Sequence, residues 1–164
     1  MQIVEPKKDE LRAQIHRAFD AVPIPTRIED MRMPRYTGDD SYEMAAALVG
    51  KHWSTISLKE LFYHREALGT LSAAAYRAYL PAYLEACLAT EDPYDKYGAD
   101  LRGYLLSTLK HWPHQRGEHR AAEVRERLSL LDASQRAAVA SVLRYLETRW
   151  QSEEASEILR EWPT

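Results

Sequence analysis

A chain of 164 residues, 45% hydrophobic and 29% charged, is long enough for one sizeable core and too apolar to stay disordered. Its 22 basic residues fall short of 25 acidic ones, leaving a net charge of −3, so the basic excess with which nucleic-acid binders neutralise phosphate is missing, as is a polybasic membrane patch. Cys87 is the only cysteine, which excludes an internal disulfide and a thiolate-rich metal centre. The first ten residues lack the apolar run of a signal peptide, and no stretch approaches the ~20 apolar residues of a membrane span. The expectation is a cytoplasmic protein, residues 1–164 forming a single helical domain.

The spacing predicts a first helix from about Pro6 to Val22, with Leu11, Ile15, Phe19 and Val22 on one face and Pro23 and Pro25 ending it. Residues 23–39 carry no period and read as a long connector, held against the body by its methionines and Tyr36. Asp40 and Glu43 have the spacing of a capping box, opening a short helix that Gly50 ends. Ser57 and Glu60 repeat that spacing ahead of Leu58, Leu61, Phe62 and Leu68, and Ser72 is placed to cap the next helix.

Ala73 to Ala89 is the most apolar segment, with Tyr76, Leu80, Tyr83, Leu84 and Cys87 on one stripe and Tyr79 and alanines around it, as expected of a central helix. Pro81 predicts two helices meeting at a bend. Thr90 to Gly98 reads as an acidic loop, with Asp100 capping a helix that holds Leu101, Leu105 and Leu109. His111 to Gly117 breaks that helix, and a short one follows from about Glu118 to Leu128. Asp132 and Gln135 open a helix with Val139, Val142, Leu143, Leu146 and Trp150 on one face. A last helix gathers Ala155, Ile158, Leu159 and Trp162. No period-2 strand signal and no repeat is present. The fold class that follows is all-α, a compact irregular bundle of about seven to eight helices with a bend at Pro81.

Three stretches carry a family resemblance. They are Gly50-Lys51-His52-Trp53 with Leu58 and Leu61; Leu71-Ser72 leading through Ala75 and Tyr76 to Tyr79-Leu80-Pro81-Ala82-Tyr83-Leu84; and Leu131, Gln135, Val139, Leu143, Tyr145 and Leu146 with Leu159 and Trp162. Their order and spacing resemble the bacterial domain-of-unknown-function family 6714 over most of the chain. The resemblance implies a small helical bacterial protein and no activity or catalytic residue. The His111–His119 stretch is outside the shared pattern.

Candidate chemistry is sparse. His111, His114 and His119 are spaced by three and five around a proline and a glycine, unlike the i, i+4 pair of helical zinc sites, and read as a solvated loop. His52 and His64 flank a helix with no partner that spacing alone reveals. Cys87 lies mid-helix and reads as a small buried hydrophobe. The carboxylates at Glu29-Asp30, Asp39-Asp40-Glu43 and Glu91-Asp92-Asp95 read as acidic loops, able to steer a basic partner if they converge. Arg116, Arg120, Arg125 and Arg127 interleave with Glu118, Glu123 and Glu126 and read as an ion-paired helix face. There is no phosphate loop and no nucleophile elbow, and neither a cofactor nor a metal is expected.

Ten tyrosines and four tryptophans against two phenylalanines leave the aromatic set amphipathic, the kind that interfaces favour. Tyr36, Tyr42, Tyr63, Tyr94, Tyr97 and Trp112 fall outside the core stripes. The leading expectation is therefore a non-enzymatic protein-binding domain, immunity-like or antitoxin-like, contacting its partner through Tyr36, Asp39, Tyr42, Tyr94, Tyr97 and Trp112. The alternative is a small enzyme or ligand-binding protein with a pocket near Trp53 and Pro81 and a catalytic set drawn from His52, His64 or the His111 loop. Helix-turn-helix DNA binding is weaker, because no basic recognition helix stands out.

Overall fold

The computed structural model describes residues 7–34, 36–92, 95–110 and 117–163, with side chains from Ala121 onward in the last of these stretches. Among them are nine α-helices and no strand. These are α1 (Lys8–Phe19), α2 (Asp39–Leu48), α3 (Leu58–Tyr63), α4 (Ala67–Thr70), α5 (Ala73–Ala89), α6 (Lys96–Leu109), α7 (Gly117–Leu130), α8 (Ala133–Trp150) and α9 (Glu153–Arg160), with 3-10 turns at Ile28–Asp30 and Trp53–Thr55. The all-α expectation holds, with more helices than expected because the 58–68 segment divides into α3 and α4. One cluster of buried side chains runs from Leu11 to Ile158.

At the centre is α5, which buries twelve of its seventeen residues and packs against α1, α6, α7, α8 and the Trp53–Thr55 turn. Its bounds are those the apolar run implied, and Ser72 caps it by accepting the Ala75 N–H at 3.2 Å. The expected division at Pro81 is corrected: α5 runs through the proline as one helix. A proline removes a single ladder bond, and burial on both sides holds the helix across the gap. Three tyrosines of α5 are buried with their hydroxyls tied to different neighbours. Tyr76 pairs with Thr108 of α6 at 2.9 Å, Tyr79 donates to the Leu48 carbonyl at 2.6 Å, and Tyr83 donates to the His64 carbonyl at 3.3 Å.

Burial favours the neutral form of these groups. It pushes Tyr76 and Tyr79 up to about 12 from an ordinary 10, raises Tyr83 as well, and pushes the Cys87 thiol up to about 12 from 9. Cys87 is thus the inert hydrophobe expected. Because the unfolded chain ionises first, the stability held by these groups is complete below about pH 8 and is lost as pH climbs, from 9 for Cys87 and from 10 for the tyrosines, to about 12. Urea midpoints are expected to stay level up to about pH 8 and then to fall, Tyr76 alone removing roughly 2 kcal/mol by pH 12. A level midpoint from pH 9.5 to 12 in melts followed by tyrosinate absorbance would show that these hydroxyls are not buried.

The helix starts repay comparison with the sequence. The capping boxes at Ser57/Glu60 and Asp132/Gln135 are both formed, with each side chain bonded to the other residue's backbone N–H. The Asp40/Glu43 box is not. Instead α2 begins two residues earlier, with Gly38 at the cap and no side-chain cap bond, so Asp39 and Asp40 occupy the first turn, where carboxylates favour the positive end of the dipole. Asp100 is not a cap either. Asp95 accepts the Tyr97 N–H at 3.1 Å and starts α6 a turn earlier, drawing Gly98 into the helix.

The first helix is shorter than expected, Lys8 to Phe19, yet Leu11, Ile15, Phe19 and Val22 are all buried. The connector after it lies against the body as expected. Met31 is fully buried, its carbonyl accepts the Ser72 N–H at 2.8 Å, and Arg32 bridges Leu71. The ion-paired reading of the α7 face fails at Arg127, which is 4% exposed. Its guanidinium donates to the Gly69 carbonyl at 2.8 Å and stands 4.9 Å over the Tyr76 ring, so its partners are a carbonyl and an aromatic face. A long side chain on a helix edge turns inward when its stem finds apolar surface.

Candidate functional site

Two surface features emerge from this packing. The first is where α3 ends and α4 begins. Leu61 is the buried side of α3, which turns the next aromatics outward: Phe62 is half-buried and Tyr63 is 78% exposed. Phe62 meets Tyr97 of α6 edge-on at 4.3 Å, and Arg65 stands 4.7 Å over Phe62 while facing Asp100 at 4.0 Å. Tyr104 donates to Glu66 at 3.0 Å, a bond that holds the phenol proton and raises that group above its ordinary value. Across from Tyr63, α2 presents Asp40, Glu43 and Met44. Together with His64, Arg65 and Glu66 these residues line an open notch of about 240 Å³. The result is a strip from Tyr97 through Phe62 and Tyr63 to a notch with three carboxylates.

The expected partner-binding residues divide around this strip. Tyr97 is in it, 49% exposed. Asp39 is exposed in the first turn of α2, and Tyr42 is 49% exposed but turns away toward Arg32, whose guanidinium is 5.5 Å from its ring. Tyr36 is half-buried beside them, its carbonyl accepting the Ser41 hydroxyl at 3.1 Å. Tyr94 and Trp112 lie outside the described residues, as do His111 and His114. The acidic segments do not all converge: Glu29 and Asp30 face Arg27 at 3.6 and 4.0 Å, and Glu91 faces Lys8 at 3.6 Å. Tyr63 is the residue that belongs in the site and was left out. Its signal was its place after Phe62, since two consecutive aromatics on a short helix point in different directions.

The second feature is the hollow expected near Trp53. It has a volume of about 380 Å³ and is lined by Trp53, Ile56, Leu58 and Leu61 on one side, by Ala82, Ala86 and Ala89 of α5, and by Arg12, His16, Ser54 and Glu85 at the rim. Pro81 is not among the lining residues. His16, which the sequence did not single out, tilts against Trp53 at 4.7 Å between centroids and holds Asp20 through Nδ1 at 3.0 Å. Since a carboxylate only accepts, that nitrogen carries the proton.

Ser54, His52 and Asp20 are arranged here in the order of a catalytic triad. The Ser54 hydroxyl is 2.7 Å from His52 Nδ1, but His52 Nε2 is 4.0 Å from Asp20, beyond hydrogen-bond reach, and Asp20 is already taken by His16. The Ser54 N–H also donates to His52 Nδ1, which makes the contact a cap of the Trp53–Thr55 turn rather than a proton relay. His64 lines the notch at the other feature. Among the described residues no three His, Cys, Asp or Glu side chains form a metal-sized group, and no helix is long and apolar enough to cross a membrane. A larger hollow, about 490 Å³, lies between α6, α7 and α9 and is lined by Lys110, Val124, Leu128 and Ile158 among others.

Neither a curated protein nor a solved structure matches the chain. The model of one protein family, described as a family of unknown function (DUF6714), matches residues 7–162, nearly the whole length, as the spaced Leu, Tyr, Trp and Pro residues implied. The chain belongs to the DUF6714 family of unknown function.

Proposed function

We propose that this protein is a non-enzymatic, bacterial, cytoplasmic binding domain that docks a basic partner protein on the Tyr97–Phe62–Tyr63 strip and its acidic notch. The observation that carries the reading is Tyr63, a phenol 78% exposed at the lip of a notch lined by Asp40, Glu43 and Glu66. An aromatic anchor beside a group of carboxylates is the composition of an interface centre, and the charge selects a lysine or arginine side chain. Tyr97 and Phe62 supply the flanking apolar area, and the exposed Asp39 adds a carboxylate at the start of α2. An immunity-like or antitoxin-like inhibitor is the concrete form, because blocking a basic active-site cleft requires no chemistry of its own.

The test is affinity capture of the tagged protein from its native lysate at moderate salt, beside the same capture with Tyr63→Ala and with Glu43→Lys. One near-stoichiometric partner is expected with the native chain. Each substitution should weaken that complex about 30-fold, as loss of a hot spot worth ~2 kcal/mol does. Mixing the purified pair should extinguish the partner's activity at one-to-one ratio. A partner retained equally by both variants, or none at all, would sink the reading.

A further inference from the structure

We infer that the groove between α1, the Trp53–Thr55 turn, α3 and α5 is a binding site for an amphipathic organic amine, its apolar body on Ala82 and Ala86 and its ammonium on Glu85. This site is on a different part of the surface from the strip and stands on separate observations. Its volume, about 380 Å³, falls within the range of small-molecule sites. Ala82, Ala86 and Ala89 follow one another at spacings of four and three, so beside Glu85 this face of α5 carries only methyl groups and leaves the space open. Leu58, on the facing wall, is 39% exposed, and a ligand's apolar body would take that surface from water. His16, packed on the buried Trp53 ring with its own side chain 45% exposed, adds an imidazole surface on which a flat body packs.

The polar side selects the charge. Glu85 has a side chain only 24% exposed, and one of its oxygens, Oε2, accepts the Arg12 Nε–H at 3.3 Å. Oε1 has no partner among the described residues, so a half-buried carboxylate presents an open acceptor to the groove. Arg12 divides its charge between Glu85 and Asp9, the latter at 3.5 Å. The groove itself is lined by Glu85, Arg12 and His16, and two further carboxylates stand behind it, Asp9 on Arg12 and Asp20 on His16, so the acidic charge exceeds the single guanidinium. An ammonium is attracted there and a carboxylate repelled, and an N–H donor to Oε1 gives a charge-assisted bond in a partly dry setting.

The experiment is a titration of the full chain with three probes of similar size, phenethylamine, phenethyl alcohol and phenylacetate, followed by NMR shifts of the α1 and α5 amides. Saturable binding is expected for the amine, at least fivefold weaker binding for the alcohol, and none for the carboxylate. Glu85→Gln should weaken the amine about tenfold and leave the alcohol unchanged, a split that general loosening of the fold would not produce. Ala89→Leu fills the groove from an exposed position on α5, so it leaves the core intact and should abolish both amine and alcohol binding. Equal binding of amine and carboxylate, amine binding indifferent to Ala89→Leu, or no saturation by the amine would overturn the assignment. So would a lysine-bearing amphipathic peptide that binds the groove where the amine does not, since the occupant would then be a protein segment.

Discussion

Replacing Gln135 by alanine is expected to lower the stability of the protein by about 3–4 kcal/mol, far above the usual cost of one polar side chain. Gln135 is 1% exposed, and its side-chain amide makes three hydrogen bonds. Oε1 accepts the Asp132 N–H at 3.0 Å, completing the capping box, and the Arg77 Nε–H at 2.9 Å from α5. Nε2 donates to the Ala18 carbonyl of α1 at 3.0 Å. That carbonyl is in the last turn of α1, where the helix supplies no partner of its own. One side chain thus closes the start of α8, the end of α1 and a contact with α5. Alanine leaves all three groups unpaired and opens a cavity among them. Gln135→Glu is the informative control. It keeps both acceptor bonds but sets an oxygen against the Ala18 carbonyl, and about 1–2 kcal/mol of loss is expected from that repulsion alone. Urea denaturation with an unchanged slope would read both values, and a loss below about 1 kcal/mol for alanine would mean that the three bonds do not form.

The second large effect concerns two glycines of α6 that local rules treat alike. Gly103→Ala should stabilise the protein by about 0.5–1 kcal/mol, because alanine is the better helix former and nothing lies within 4 Å of its Cβ. Gly98→Ala should do the opposite, by about 2–3 kcal/mol. A Cβ there would stand 2.6 Å from Thr90 Cγ2 and 2.7 Å from Thr90 Cβ, under the 3.0 Å that carbon atoms essentially never breach. Thr90 has no room to retreat, being 5% exposed with its hydroxyl donating to the Ala86 carbonyl at 3.3 Å. Thermal melts of the two variants should move in opposite directions. A shift of the same sign would mean that the end of α5 does not pack on the start of α6 as described.

These two residues also mark the boundary of what the sequence reveals. The Asp132/Gln135 box was legible because both partners sit at fixed spacing on one strand of chain, and Ser57/Glu60 was legible for the same reason. The α5 bounds, the α1 stripe and the absence of strand signals followed from periodicity. What escaped depends on neighbours distant in sequence. Asp95 has glycine rather than glutamate three residues on, so nothing local distinguished its cap from Asp100, and docking of Gly98 on Thr90 decided between them. Arg127 has Glu123 one turn before it, the pattern of a solvated pair, yet it finds the Gly69 carbonyl 58 residues away. At the strip, the aromatic and acidic character was visible. So was the outward place of Tyr63, outside the core stripes; its position across from Asp40 and Glu43 was not, because tertiary packing sets it.

The three buried tyrosines of α5 settle a question that apolar packing leaves open. A helix that is apolar around most of its circumference gains nearly the same burial at many angles about its own axis, so hydrophobicity fixes its position but not its rotation. Hydroxyl bonds are directional, and an unpaired buried hydroxyl is costly. Tyr76 reaches α6, Tyr79 reaches the end of α2, and Tyr83 reaches the turn after α3, so the three bonds are made together at a single angle. Phenylalanine at these places would preserve the oiliness of the core and remove its angular memory. With tyrosine, the central helix has one orientation, and the Ala82–Ala86 face stays turned to the groove.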